Sequence, residues 1–222
     1  MKVLITGTSR GIGKATALRY LSLGHEVVGI DILPSSIDNP KYTHFVGDIS
    51  KKEELPDIDD VEILFNNAGV QNKADDIAVN LIGSMNVTEK YMDSPVLKSI
   101  LFNASASAHT GFEFSNYAAS KGGLITYMKS IACRLAPRGV LVNSLSLGGV
   151  TTELNKPVMD DPELWKKVMD VTPLKKWMDV EEVADWVIFL TLTNKSASGQ
   201  DFLIDNGEKD LNNTFVWPSQ YM

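Results

Sequence analysis

Tyr117 and Lys121 lie four residues apart in the stretch NASASAHTGFEFSNYAASK (103–121). On a helix this spacing places both side chains on one face. A tyrosine has a pKa of about 10, so it needs a neighbouring cation to lose its proton near neutral pH. A lysine one turn away favours the phenolate. The pair therefore has the composition of a proton-transfer group, although the same spacing also occurs on exposed helix faces that carry no chemistry.

A glycine-rich stretch near the N-terminus has the composition of a phosphate-binding turn. TGTSRGIG (6–13) follows the apolar run KVLIT and opens a helical pattern. Such glycines bring backbone N–H groups close to a pyrophosphate at the helix N-terminus. A plain strand–helix turn is the alternative. The predicted cofactor-binding residues here are Gly7, Ser9, Arg10, Gly11, Ile12 and Gly13.

Asp31 ends the next apolar run, EVVGI, and bears on the choice of dinucleotide. A carboxylate at this point accepts hydrogen bonds from both ribose hydroxyls and repels a 2′-phosphate, which favours NAD. Arg10 favours the alternative, NADP, because its guanidinium is suited to a 2′-phosphate. We give Asp31 more weight, since it would contact the hydroxyls directly.

Two further loops follow apolar runs and are predicted to border the same cofactor. Asp48, with the backbone of Ile49, is suited to the adenine edge, and NNAG (66–69) offers Asn67, Ala68 and Gly69. The carboxyl ends of parallel strands are where open α/β sheets bind ligands. An ordinary loop is the alternative for NNAG.

These positions require a sheet whose strands end at one edge. Strands are predicted at 2–6, 26–30, 44–47, 62–66, 99–104, 141–146 and 201–205, and helices at 12–23, 75–93, 115–136 and 180–193. Continuous apolar strands alternating with helices predict an α/β fold: a doubly wound, mainly parallel sheet of seven strands with helices on both faces. Between Asp31 and Asp48, two prolines and the lack of an amphipathic pattern predict a loop instead of a crossover helix.

Composition narrows the class of protein. The 222 residues are predicted to form one domain, 1–222, and a net charge of −7 argues against a nucleic-acid or anionic-membrane partner. The single cysteine, Cys133, is predicted to lie in a helix core, and its being alone fits a cytoplasmic location. No targeting segment or membrane span is recognised, and no metal site is predicted.

Taken together, these motifs resemble the short-chain dehydrogenase/reductase family over essentially the whole chain. The resemblance rests on TGTSRGIG, Asp31, Asp48, NNAG, AVNLIG (78–83), YAASK (117–121), RGVLVNSLSLGG (138–149) and GQDFLIDNG (199–207). It implies hydride transfer between a nicotinamide and a secondary alcohol or carbonyl group. The catalytic residues implied are Ser105, Tyr117, Lys121 and Asn80, with Tyr117 and Lys121 also contacting the cofactor.

The resemblance also implies roles for the C-terminal third. Gly148, Val150 and Thr152 would hold the nicotinamide, although Leu147 stands where the family has proline. Residues 153–178 resemble a substrate lid, with Trp165 and Met169 expected to serve helix packing, and about 208–222 form a tail that is either frayed or a flap. Asn80 follows Gly69 by only eleven residues, which is a shortened connection.

Two serines compete for the catalytic position. Aligning the strand SILFNAS with the family favours Ser105, but the gap to Tyr117 is one residue shorter than expected, so Ser107 stays open. Ser115 is expected to cap the helix that carries Tyr117. Ser120 is expected to lie beside Lys121. His109 is expected to lie in a solvated loop, with a position bordering the substrate as the alternative.

Other functions remain compatible with this sequence. A catalytically silent NAD(P) sensor or scaffold could share the fold, but it has no need to keep Ser105, Tyr117, Lys121 and Asn80 together. An isomerase or dehydratase using the same cofactor is a third possibility. The resemblance also implies a homodimer or homotetramer and a small-molecule alcohol or ketone substrate, whose identity the sequence does not specify.

Overall fold

The computed structural model describes residues 1–112 and 114–211. Its strands form one sheet in the order β3-β2-β1-β4-β5-β6-β7, and each neighbouring pair is parallel. The strands are β1 Lys2–Thr6, β2 Glu26–Asp31, β3 Tyr42–Val46, β4 Ile63–Asn66, β5 Ser99–Asn103, β6 Leu141–Leu147 and β7 Asp201–Ile204. The predicted α/β fold is confirmed, and the strand order reverses between β1 and β4, where such sheets bind ligands.

Helices cover both faces of this sheet. They are α1 Gly11–Ser22, α2 Ser84–Tyr91, α3 Ser107–Thr110, α4 Ser115–Leu135, α5 Lys156–Met159, α6 Pro162–Val171 and α7 Val180–Ile188. Alternate residues of β1 point to opposite cores: Val3 and Ile5 pack with the α1 and α7 side, and Leu4 with the α2 and α4 side. Burial on both faces explains why the strand sequences are continuously apolar.

The connection between β2 and β3 is a loop over residues 32–41, as predicted. Ile37 fills the space that a crossover helix would cover and is 9% exposed. Ser36 donates to the Ser9 carbonyl at 2.6 Å, which fastens this loop to the glycine-rich turn. The loop therefore supports the turn that begins α1.

The helix predicted over 75–93 differs from the structure. Residues Ile77–Gly83 form a π-helical segment, and only Ser84–Tyr91 is α-helical. A second π-helical segment, Phe189–Thr193, follows α7. A hydrophobic pattern does not distinguish these windings here, because the π-helical segments are short and lie directly beside α-helical residues.

Two expectations about side chains were wrong. Cys133 is exposed because the buried face of α4 is formed by residues such as Ile131, Ala132 and Leu135. Ser115 is not the cap of α4: the helix begins at Ser115 itself, and Phe114 occupies the N-cap position without a side-chain hydrogen bond.

Two remaining expectations concern the chain end and membranes. Most of the predicted tail, residues 212–222, lies outside the described residues. Within the described ranges, no helix has the length and apolar character needed to cross a bilayer.

Candidate active site

The glycine-rich turn is built by close backbone contact. A Cβ atom on Gly13 would lie 2.0 Å from the Gly7 carbonyl oxygen, and Gly7 itself has a φ of 77°. Only glycine fits these two positions. The helix α1 begins at Gly11 without a side-chain cap, so the N–H groups of its first turn, which includes Ile12, are available to an anion. The cradle fits the pyrophosphate of a dinucleotide.

Asp31 lies against this turn. Its Oδ2 accepts a hydrogen bond from the Ser9 backbone N–H at 2.9 Å, and its Oδ1 accepts one from the Leu33 N–H at 2.9 Å. The hydroxyl of Ser9 donates to the Leu33 carbonyl at 3.2 Å. A carboxylate has about four acceptor sites, so two backbone donors leave capacity for hydroxyl groups.

Arg10 lies beside an acidic residue of the predicted lid, Glu153. Its Nη1 lies 3.8 Å from the Glu153 carboxylate, and both side chains are about two-thirds exposed, at 66% and 65%. The nearby carboxylate offsets part of the arginine charge, although an exposed pair of this kind is weak.

The loops after β3 and β4 complete this end of the sheet. Asp48 accepts hydrogen bonds from the backbone N–H and hydroxyl of Ser50 at 2.9 and 2.8 Å, while Ile49 is buried against Gly83. Asn67 donates through Nδ2 to the Thr6 carbonyl at 2.9 Å. The loop after β4 is therefore hydrogen-bonded to the end of β1.

Ala68 and Gly69 continue that loop toward α4. Ala68 N–H donates to the Thr6 hydroxyl at 3.0 Å. A Cβ atom on Gly69 would lie 3.0 Å from Asn80 Oδ1 and 3.4 Å from Lys121 Nζ. The small residue predicted next to the cofactor thus lies between two of the predicted catalytic side chains.

Lys121 and Tyr117 share one face of α4. The Lys121 ammonium is buried, donates to the Asn103 carbonyl at 2.7 Å and lies 5.7 Å from the centre of the Tyr117 ring. Burial lowers the pKa of Lys121 from 10.5 to about 8, and the negative charge of Asp76 partly opposes this effect. The lysine is therefore a cation at neutral pH, within electrostatic range of the phenol.

Ser105 and Ser107 lie together at the end of β5. Their hydroxyl oxygens are 3.2 Å apart, and the Ser107 N–H also donates to Ser105 Oγ at 3.2 Å. Both residues are nearly buried, at 7% and 6% exposure. Because the two hydroxyls contact each other, the geometry does not distinguish which of the two serines would be catalytic.

Asn80 connects the shortened loop to α4. Its Nδ2 donates to the Val70 carbonyl at 2.9 Å and to the Ser120 hydroxyl at 3.0 Å, and its Oδ1 accepts from the Val70 N–H at 2.8 Å. The Asn80 carbonyl accepts a hydrogen bond from Ser84 Oγ at 2.7 Å. Ser120 therefore accepts a hydrogen bond from Asn80, a contact that its position beside Lys121 in the sequence did not indicate.

The residues predicted for the nicotinamide lie at the end of β6. Gly148 donates to the Ile204 carbonyl at 2.9 Å, and a Cβ at this position would lie 2.7 Å from Asp205 Cα. Val150 is buried and Thr152 half-buried, with its methyl group 3.8 Å from the Cβ position of Gly11. The C-terminal end of β6 thus approaches the glycine-rich turn.

The predicted lid contains the short turn Glu153–Asn155, α5 and α6. Trp165 packs edge-to-face on Trp177, with ring centroids 5.0 Å apart, in agreement with a packing role. The Trp177 ring lies directly over Gly149, where a Cβ would be 2.0 Å from its atoms. Glu208 accepts hydrogen bonds from the Thr172 hydroxyl at 2.7 Å and from Trp177 Nε1 at 3.3 Å.

The contact between Trp177 and Glu208 was not predicted from the sequence. The two residues are 31 positions apart, and no local sequence pattern links them. His109 is exposed to solvent, as expected, but it lies in the short helix α3 rather than in a loop, and its Nε2 is 2.6 Å from the Asp201 carboxylate. Asp201 also accepts hydrogen bonds from Ser144 and Ser146, so buried polar partners hold the histidine in place.

Comparison with known proteins gives consistent matches. A family model described as short chain dehydrogenase matches residues 1–163. The 3-oxoacyl-(acyl-carrier-protein) reductase FabG of Thermotoga maritima is 30% identical over 237 residues, covering 92% of this chain and 96% of that protein. Glucose 1-dehydrogenase of Gluconobacter oxydans is 29% identical over 241 residues, covering 93% and 91%. The structure of a 4-hydroxyisoleucine dehydrogenase complexed with NADH superposes with a TM-score of 0.83 at 23% identity, covering 94% of this chain and 98% of that one.

Proposed function

Because the chain belongs to the short chain dehydrogenase family, we propose that it is an NAD-dependent oxidoreductase acting on a secondary alcohol or its ketone. The observation that carries this proposal is the buried Lys121 ammonium beside the Tyr117 ring, with two serine hydroxyls at the adjacent strand end. A silent nucleotide sensor has no use for a buried ammonium next to a phenol, since burying it has a free-energy cost.

The residues present fit a bound nicotinamide dinucleotide. The uncapped first turn of α1 and the Gly7–Gly13 cradle would hold the pyrophosphate, Asp31 the adenosine ribose, and Lys121 the nicotinamide ribose. Asp48, Ile49 and the 67–69 loop would line the adenine and central parts of the site, and Gly148, Val150 and Thr152 the nicotinamide. When bound, the cofactor supplies an acceptor or donor of hydride.

The protein's own residues would transfer the proton and orient the substrate. Tyr117 would take the hydroxyl proton of an alcohol as its carbon loses hydride, and in the reverse direction it would protonate the carbonyl oxygen. The Lys121 cation favours the phenolate form of Tyr117 that begins the oxidation. Ser105 would orient the substrate oxygen with Ser107 beside it, and Asn80 would keep the 70–80 segment against α4.

We propose NAD over NADP because of the charge beside the ribose position. The Asp31 carboxylate already lies against the turn and would repel a 2′-phosphate. Arg10, the residue that favours NADP, is exposed and faces the Glu153 carboxylate. The negative charge of Asp31 and the position of Arg10 next to Glu153 therefore both favour NAD over NADP.

A homo-oligomer is also part of the proposal. Trp186 and Phe189, on and just after α7, are 37% and 47% exposed and pack edge-to-face with centroids 6.1 Å apart. Exposed aromatic pairs of this kind are typical of protein interfaces. Light scattering of the full chain would report a dimer or tetramer, and a monomer would contradict this part of the proposal.

The test is a dehydrogenase screen that follows NADH absorbance over alcohols, sugars, steroids and β-ketoacyl thioesters. With the best substrate, Tyr117→Phe is expected to reduce kcat by ~10²–10⁴-fold. Tyr127→Phe is the matched control, because Tyr127 lies in the same helix but packs its ring on Phe102, with centroids 5.9 Å apart. Tight NAD binding without turnover of any of these substrates would favour the sensor, and equal rates in wild type and Tyr117→Phe would reject the mechanism.

A further inference from the structure

Asp76 is a buried carboxylate that the proposed mechanism does not use. It is 1% exposed, whereas its neighbours Asp75 and Ile77 are both exposed. Its Oδ1 accepts a hydrogen bond from the Lys73 N–H at 3.0 Å, and its own N–H donates to the Lys73 carbonyl at 3.2 Å. A buried charge is costly unless other charges or donors compensate it, so its burial calls for an explanation.

The residue also occupies a specific place in the fold. Asp76 immediately precedes the π-helical segment Ile77–Gly83, one turn before Asn80. Asn80 bonds Ser120, the residue next to Lys121, and the Cβ position of Gly69 lies 3.0 Å from Asn80 Oδ1 and 3.4 Å from Lys121 Nζ. The segment that begins at Asp76 therefore packs against the part of α4 that carries the ammonium.

Four groups found near the Lys121 ammonium are uncharged. They are the Asn103 carbonyl from β5, the Tyr117 ring from its own helix, and Gly69 with Asn80 from the shortened connection. Among the described residues, Asp76 is the charged group whose field acts on Lys121 and opposes the effect of burial on its pKa. The carboxylate acts through space, because the low-dielectric interior transmits charge without a direct hydrogen bond.

We propose that Asp76 is the buried counter-ion of Lys121 and a positioning residue of the Tyr117–Lys121 pair. Its carboxylate keeps the lysine charged in a site that would otherwise favour the neutral amine, and the lysine in turn acts on Tyr117. The catalytic part of this role depends on the proposed function, whereas the electrostatic part does not.

The electrostatic part is tested by NMR of the full chain labelled with ¹³Cε-lysine, in which the Lys121 resonance is assigned by its loss in Lys121→Met. In Asp76→Asn the titration midpoint of Lys121 is expected to fall below its wild-type value of about 8, because the opposing carboxylate charge is lost. Asparagine keeps an acceptor for the Lys73 N–H, so the change removes the charge while exchanging one carboxylate oxygen for an NH2 group. Asp75→Asn is the matched control, with the same chemical change on an exposed neighbour and no expected shift.

The catalytic part is tested by the pH dependence of kcat. At pH 8 a smaller fraction of Lys121 is protonated in Asp76→Asn than in the wild type, so kcat is expected to fall several-fold. At pH 6.5 both proteins keep most of the lysine protonated, and kcat is expected to differ by less than about 1.5-fold. Asp76→Glu, which keeps the charge, is expected to restore the wild-type profile.

Several results would overturn the proposal. An unchanged Lys121 midpoint in Asp76→Asn, or an equal shift in Asp75→Asn, would remove the counter-ion role. A loss of kcat of the same size at every pH would assign Asp76 a purely structural role. Asp76→Ser provides the same neutral comparison if the asparagine variant does not fold. Absence of turnover with every substrate would reject the proposed function, while the NMR titration would still decide the counter-ion.

Discussion

Gly149→Ala tests the packing of the predicted lid on the end of β6. The added methyl group would lie 2.0 Å from two atoms of the Trp177 ring and 2.2 Å from a third. Because the ring also contacts Trp165 and Glu208, it cannot move without disturbing the base of the lid. Overpacking of this kind costs about 2 kcal/mol. At roughly 3 °C per kcal/mol for a domain of this size, the melting temperature is expected to fall by about 6 °C.

The assay is thermal unfolding followed by circular dichroism, with Gly122→Ala as the control. Gly122 lies in the interior of α4 and its Cβ would meet no atom within 4 Å among the described residues, so alanine is expected to stabilise the protein by about 1 kcal/mol. Adding Trp177→Phe to Gly149→Ala should recover part of the loss, because the smaller ring leaves room for the methyl group. An unchanged melting temperature in Gly149→Ala, or strict additivity in the double variant, would refute the reasoning.

Three further predictions concern catalysis, cofactor choice and backbone strain. Ser105→Ala is expected to reduce kcat/KM by at least about 100-fold and Ser107→Ala by less than about ten-fold, and the reverse order would identify Ser107 as the catalytic serine. Asp31→Asn keeps an acceptor but removes the charge, so titrations should give at least about a ten-fold gain in NADP affinity relative to NAD; without a gain, Asp31 does not select the cofactor. Asn206 has a φ of 56° and a buried side-chain nitrogen with no hydrogen-bond partner among the described residues. Asn206→Gly is therefore expected to stabilise the protein by about 1 kcal/mol, and a lower melting temperature would contradict this.

Much of the fold could be predicted from the sequence because the central strands, such as β1, β4 and β6, are buried on both faces. Burial of this kind leaves continuous apolar runs, and the loops after them hold the polar residues of the candidate site. The loop that replaces a crossover helix between β2 and β3 could also be predicted, since prolines and polar residues leave no apolar helical face there. These features depend on local sequence, which is why the strand positions and the place of Asp31 could be predicted from it.

The features that sequence reasoning missed depend on contacts between distant segments. The His109–Asp201 pair joins residues 92 positions apart, and Trp177, near the end of the predicted lid, lies over Gly149. Cys133 was placed in the core because its neighbours are apolar, but a one-residue difference in helical phase turns it outward. No local sequence signal separates Asp76 from Asp75, and only the structure shows that Asp76 is buried and Asp75 exposed.

The π-helical segment Ile77–Gly83 has a consequence for insertions and deletions. Successive residues of a π-helix point in different directions around the helix axis, so removing one residue from this segment would turn Asn80 away from Ser120. Residues 71–74 are a loop, where a change in length leaves the orientation of the helical segment after it unchanged. Relatives that differ in length here are therefore expected to differ within the loop and to keep the seven-residue segment intact.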